Sequence, residues 1–166
     1  DDVIAVFQHL VEQQTRPIII VGYSLGGSMT LKTLAELGQH PRLLAGVAIS
    51  TPLDLVACAK RLDRGFSTIY RRHLLSQLHL LWQNKQLFLA EKGNIEASTQ
   101  IQNCLDQGPF HSFWQFDDHL MAPLHGFTGV DDYYARCRPN QFLKAIRVPT
   151  LVIHALDDPF MSPLVV

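Results

Sequence analysis

The stretch Ile18-Ile-Ile-Val-Gly-Tyr-Ser-Leu-Gly-Gly27 decides how this chain is read. Residues 18–21 are a β-branched run flanked by Pro17 and Gly22, the pattern of a fully buried strand in a parallel sheet. Gly22-Tyr23-Ser24-Leu25-Gly26 fits G-x-S-x-G, and behind it Leu31, Leu34 and Leu37 recur at helical spacing up to Gly38. A strand, a tight turn with serine at its apex, and a helix are the setting that a nucleophile elbow demands. The bland alternative is a glycine-rich turn with an incidental serine. The strand and helix that flank it weigh against that.

Each residue type in the turn has a physical task. A sharp strand-to-helix reversal holds its apical residue in a strained backbone conformation. The positions two before and two after the apex are expected to lack bulk because strand and helix nearly touch there. Gly22 and Gly26 supply that, and Gly27 is expected to let the helix pack closer still. Ser24 is predicted to point its hydroxyl out of the end of the sheet. The Leu25 N–H, at the positive end of the new helix, is predicted to face a developing oxyanion.

With 166 residues the chain is long enough for one domain with a real core. Hydrophobic residues make up 47% and charged residues 17%, which excludes a disordered chain. The net charge is −1 and there is no basic run, so no nucleic-acid partner is expected. No apolar stretch approaches membrane-spanning length and no signal peptide is visible, so no stable membrane insertion is expected of this segment. Cys58, Cys104 and Cys137 are far apart and odd in number, which argues against a disulfide framework or a zinc knuckle. They suit a reducing compartment, and a cytoplasmic location is expected. The chain opens without Met inside a helical pattern and ends on Pro163-Leu-Val-Val166 without a cap, so it is expected to be a piece of a longer protein.

Upstream of the elbow, Val3, Val6, Phe7, Leu10 and Val11 make residues 2–14 an amphipathic helix. After the elbow helix, residues 43–49 read as a second buried strand, ended by Ser50-Thr-Pro52. Helix, strand, helix, strand is the order of a parallel α/β sheet with right-handed crossovers. From Asp54 to about Leu105 the periodicity is helical, broken at Lys92-Gly-Asn94 and then at Gly108-Pro109. Residues 110–130 are aromatic and turn-rich, and 131–137 and 140–146 read as two short helices. Thr150-Leu-Val-Ile-His154 is a third buried strand, and Ala155-Leu-Asp-Asp-Pro159 is the loop at its carboxyl end. Ligands of open α/β sheets sit at that end, the edge on which Ser24 is presented. The expected organisation is one domain truncated at both ends. Core covers 1–53, a helical lid insertion 54–147, and a core strand with the acid loop 148–166.

A serine at an elbow needs a base and an orienting acid, and in elbow hydrolases the chain order is serine, acid, histidine. Asp157 and Asp158 stand where the acid belongs. Asp158 is preferred, because Pro159 restricts the residue before it to extended conformations and so fixes the carboxylate's direction. The bland reading makes both of them turn formers. No histidine follows His154, and all eight precede Asp157, so the catalytic histidine is read as absent from this chain. His111, His119, Asp117 and Asp118 show no helical ligand spacing. They are read as solvated or hydrogen-bonded residues, with no metal and no cofactor expected. The second oxyanion donor of such sites comes from a loop after an earlier strand, upstream of Asp1.

Several motifs together resemble one family. They are Gly22-Tyr-Ser-Leu-Gly-Gly27, Ala48-Ile-Ser-Thr-Pro-Leu-Asp-Leu55, Arg64-Gly-Phe66 with Tyr70, Phe116-Asp-Asp118, Ala122-Pro-Leu-His-Gly-Phe127, Asp132-Tyr-Tyr134, Ile146-Arg-Val-Pro149 and Asp157-Asp-Pro-Phe160. In these the chain is similar to the YheT-like α/β-hydrolases (AB hydrolase superfamily, family 4) over nearly its whole length. The resemblance implies an α/β-hydrolase fold with a helical lid. It also implies a serine hydrolase of carboxylic esters, including lipid and medium-chain acyl esters, with acyl transfer to alcohols in some members. It places the nucleophile on Ser24 and the acid on Asp158, and finds no position for the histidine. It gives His125 a bracing role in the lid. Arg138 departs from the small residue expected before Pro139.

The resulting expectation is acyl transfer. Ser24 attacks, the absent histidine takes its proton, Asp158 orients that histidine, and the Leu25 N–H holds the oxyanion. The competing class is a catalytically silent α/β-hydrolase fold used as a binding module. The 166-residue piece by itself is expected to be neither active nor stable.

Overall fold

A computed structural model describes residues 2–161; the uncapped end at 163–166 lies outside the described residues. The chain forms two compact units. One runs up to Leu55 and resumes at Arg138, and the other is Val56–Cys137. The helical segment therefore interrupts an α/β unit.

The α/β unit contains α1 (Asp2–Gln13), β1 (Ile18–Tyr23), α2 (Leu25–Leu37), β2 (Leu43–Ile49) and, after the interruption, β3 (Thr150–Ile153). The three strands form one parallel sheet in the order β1-β2-β3. Phe7 of α1, Leu34 of α2, Ile18 and Leu43 make its buried core, with Ile146 and Val148 packed against them. Gly46 lets α2 lie close on β2: a Cβ there would meet Leu34 Cδ1 at 2.2 Å.

The apolar runs predict fully buried strands, but the strands are only partly buried. In β1 burial alternates, with Ile18 and Gly22 covered while Ile19 and Val21 are each 51% exposed. Thr150 is half-buried and the rest of β3 is exposed. The reason is geometric. Phe7 of α1 and Leu34 of α2 join one core, and α2 lies on the face carrying Gly46. Side chains alternate across a strand, so Ile19, Val21, Leu151 and Ile153 point to the opposite face. β1 and β3 are moreover the two edges of this sheet.

The helical unit begins with α3 (Leu55–Leu62), α4 (Ser67–Glu91) and α5 (Ile95–Leu105). Asn94 caps α5 by accepting the Ala97 N–H at 3.3 Å. Leu75, Ile101, Cys104, Leu105, Phe116 and Leu120 form its core. Residues 110–130, which read as turn-rich, wind instead through α6 (Phe113–Phe116), a π-helical turn (Asp117–Met121) and α7 (Ala122–Leu124). Their aromatic and apolar residues face the core, and Ser112 starts the run by accepting the Gln115 N–H at 3.1 Å. α8 (Val130–Cys137) follows. The expected helix over 140–146 is two 3₁₀ turns, Pro139–Gln141 and Leu143–Ala145. They pack on α2, so the insertion ends at Cys137 and not at residue 147.

Inside this unit the Tyr134 hydroxyl donates to Asp117 Oδ2 at 2.6 Å. Burial pushes the Asp117 carboxyl up from 3.8 to about 7, and the Tyr134 hydrogen bond offsets only part of that. Burial and the neighbouring Asp117 charge push the Tyr134 hydroxyl up as well. A carboxyl whose folded value lies above its unfolded value favours folding while protonated. That contribution is complete below pH 3.8 and is lost as pH rises toward about 7. Asp117→Asn keeps an acceptor for Tyr134 without the charge. It is expected to match the parent near pH 3.5 and to be more stable by a few kcal/mol at pH 8. Paired urea unfolding curves of the intact protein at the two pH values check this; equal differences at both would refute it.

Candidate active site

Ser24 stands between β1 and α2 with φ 50° and ψ −122°, a left-handed conformation that non-glycine residues rarely adopt. The turn is held in place by backbone. The Ser24 N–H donates to Ile49 O of β2 at 2.8 Å, and Ser24 O accepts from the Gly27 and Ser28 N–H groups at 3.0 and 3.3 Å. The β1–β2 ladder thus runs on into the serine itself, and Ser24 is exposed at its end. Leu25 is the first residue of α2, a position whose N–H has no intrahelical acceptor.

The close approach of strand and helix falls on Gly22 and Gly27. A Cβ on Gly22 would sit 2.2 Å from Gly26 O, and one on Gly27 would sit 1.9 Å from Thr51 Oγ1. A Cβ on Gly26 would meet nothing within 4 Å. The bulk expected to be excluded at Gly26 is therefore excluded at Gly22, where the Gly26 carbonyl lies against the strand. Gly22→Ala is expected to destabilise the intact protein by about 3 kcal/mol, because a backbone carbonyl has no rotamer to yield. Gly26→Ala should shift stability by less than about 1 kcal/mol. Urea unfolding of both variants checks the pair, and a Gly26→Ala loss as large as that of Gly22→Ala would sink the assignment.

The loop after β3 emerges at the same edge. Ser24 N–H bonds to Ile49 O, and Ser50 N–H, one residue on, bonds to Ile153 O at 2.9 Å. Ser24 and His154 are thus the residues just past the ends of β1 and β3, two strand spacings apart, or roughly 10 Å. Ser50 also has a positive φ, 48°. Of the two aspartates, Asp157 is exposed while the Asp158 side chain is 7% exposed. Asp158 Oδ1 accepts the Phe160 N–H at 2.8 Å, and its own N–H reaches Ala155 O at 3.3 Å. Its Oδ2 faces His154 Nε2 at 3.7 Å. Sequence reasoning alone does not single out His154; the available signal is a histidine four residues before Asp158.

The other motif residues belong to the helical unit. Asp118 Oδ1 accepts the Val130 N–H at 2.8 Å, and His119 stacks on Phe110 at 6.1 Å between ring centroids. Asp117 is taken by Tyr134. The His111 backbone N–H donates to Gln115 Oε1 at 2.9 Å. His125 is exposed. The turn around it is held by backbone bonds, Phe127 N–H to Ala122 O at 2.9 Å among them, with Gly126 at φ 73°.

Comparisons with known proteins bear on this site. The model of the family described as Alpha/beta hydrolase family matches residues 1–166. The chain is 38% identical over 150 residues to YheT of Escherichia coli (strain K12), covering 90% of this chain and 42% of that protein. It is 26% identical over 145 residues to a mouse protein named phospholipase ABHD3, covering 87% of this chain and 33% of that one. It is 27% identical over 165 residues to a Saccharomyces cerevisiae protein named medium-chain fatty acid ethyl ester synthase/esterase 2, covering 89% and 36%. The chain thus spans well under half the length of these relatives. No solved structure gives a match. Among the described residues no helix is long and apolar enough to cross a membrane.

Proposed function

The chain belongs to the alpha/beta hydrolase family as a YheT-like member, and from that premise we propose that the intact protein is a serine hydrolase of carboxylic esters. The observation that carries this is Ser24 in a left-handed backbone at the apex of a strand-to-helix turn, on the sheet edge that also bears the buried Asp158. Strain of this kind costs about 1–3 kcal/mol and persists only where its surroundings impose it. Here it falls on an exposed serine next to the first residue of α2, whose N–H lacks an intrahelical acceptor.

In the proposed reaction Ser24 Oγ bonds to the ester carbonyl carbon and its proton passes to a histidine outside these 166 residues. The oxyanion is held by the Leu25 N–H and a second donor. The ester C–O bond breaks, the alcohol leaves with the proton, and water then frees the acid from Ser24. Asp158 holds that histidine in the working tautomer.

The names of the mouse and yeast relatives support a lipid or medium-chain acyl ester as substrate, with an alcohol as an alternative acceptor to water. No cofactor enters the mechanism. A fluorophosphonate probe tests the reading: it should label the intact protein at Ser24 and block turnover of p-nitrophenyl acyl esters. An unlabelled serine in a folded protein that still binds acyl esters would favour the silent binding module instead.

A further inference from the structure

We infer that His154 is a positioning residue for the acid, its imidazole N–H directed at Asp158 so that the carboxyl group stays aimed at the base. This rests on the assignment of Asp158 above. The His154 and Asp158 side chains are 5% and 7% exposed, and Nε2 stands 3.7 Å from Oδ2. Among the described residues neither His154 nitrogen has a hydrogen-bond partner. Buried polar atoms of folded proteins are almost always paired, and leaving one unpaired is costly. An imidazole enclosed with both nitrogens unused, one of them facing a carboxylate oxygen, therefore has a single obvious partner.

The electrostatics agree. A carboxylate removed from water is stable only when its oxygens receive hydrogen bonds. The Phe160 N–H serves Oδ1 at 2.8 Å. Oδ2 is left to His154, and the neighbouring Asp157 is exposed. A distance of 3.7 Å lies outside hydrogen-bond range, but catalytic hydrogen bonds are commonly long in the free state and tighten with substrate. His154 is two strand spacings from the exposed Ser24 and enclosed at both nitrogens, so it acts through Asp158 and not on the serine.

The test uses the intact protein and p-nitrophenyl ester turnover between pH 5 and 9. His154→Phe keeps bulk and removes the donor. It is expected to lower kcat roughly ten- to a hundredfold, the size of a lost hydrogen bond to a charged group. KM should stay within a few-fold of the parent, because the imidazole meets Asp158 and not the ester. His154→Gln, with an amide N–H in the same reach, should recover most of the rate. In an Asp158→Asn background His154→Phe should add nothing. Three outcomes overturn the inference. If His154→Phe matches the parent while Asp158→Asn is crippled, His154 has no role. If Asp158→Asn itself is unimpaired, the acid assignment fails and this inference with it. If His154→Gln is as dead as Ser24→Ala, His154 is the base. Should His154→Phe not fold, His154→Leu, which also lacks a donor, takes its place in each comparison.

Discussion

Ser24→Ala in the intact protein is expected to lower kcat for ester hydrolysis on the order of a million-fold and to abolish fluorophosphonate labelling. The size follows from the role. Without Oγ there is no acyl-enzyme, and the oxyanion donors have only a water reaction left to assist. The fold should not suffer, because Ser24 is exposed and its contacts are made by backbone N–H and C=O groups. Alanine at φ 50° keeps the strain, whereas Ser24→Gly relieves it. Ser24→Gly should therefore be more stable than Ser24→Ala by about 1 kcal/mol while equally inactive. The measurement is steady-state turnover beside thermal unfolding of the three proteins. Activity within tenfold of the parent in Ser24→Ala would end the acyl-enzyme reading.

Asp158→Asn is the second large expected effect, about ten-thousand-fold in kcat. An amide presents an N–H where the carboxylate accepted one, and so favours the wrong tautomer of the bridging imidazole. Asp157→Asn should cost little, because its side chain is exposed while that of Asp158 is enclosed and tied to Phe160. The pair is compared at one substrate concentration well above KM and again as kcat/KM. Reversed effects would move the acid to Asp157 and leave the serine chemistry standing.

Local physics wrote much of this molecule into its sequence. A β-branched run before a G-x-S-x-G turn and a leucine-spaced helix placed β1, the elbow and α2 within a residue or two. Pro159 favours Asp158 over Asp157 as the proposed acid, and of the two side chains that of Asp158 is the enclosed one. These readings depend on neighbours in sequence, where propensity and chain sterics act directly. The choice between two buried-strand faces does not. Apolar runs like residues 18–21 say that a strand can be buried on both sides, and cannot say which side a helix of the same unit will cover.

The sequence by itself therefore determined the α/β order, the helical segment that interrupts it and the strand-turn-helix around Ser24, through steric and periodic constraints that act over a few residues. Only the tertiary structure decided the rest. It assigned the close packing to Gly22 and Gly27, because the atoms excluding a Cβ belong to Gly26 and Thr51 across the turn. It gave Asp117 to Tyr134, seventeen residues away. It set His154 against Asp158 with no other partner among the described residues, because a loop's backbone course, and not its composition, fixes which buried polar atoms meet.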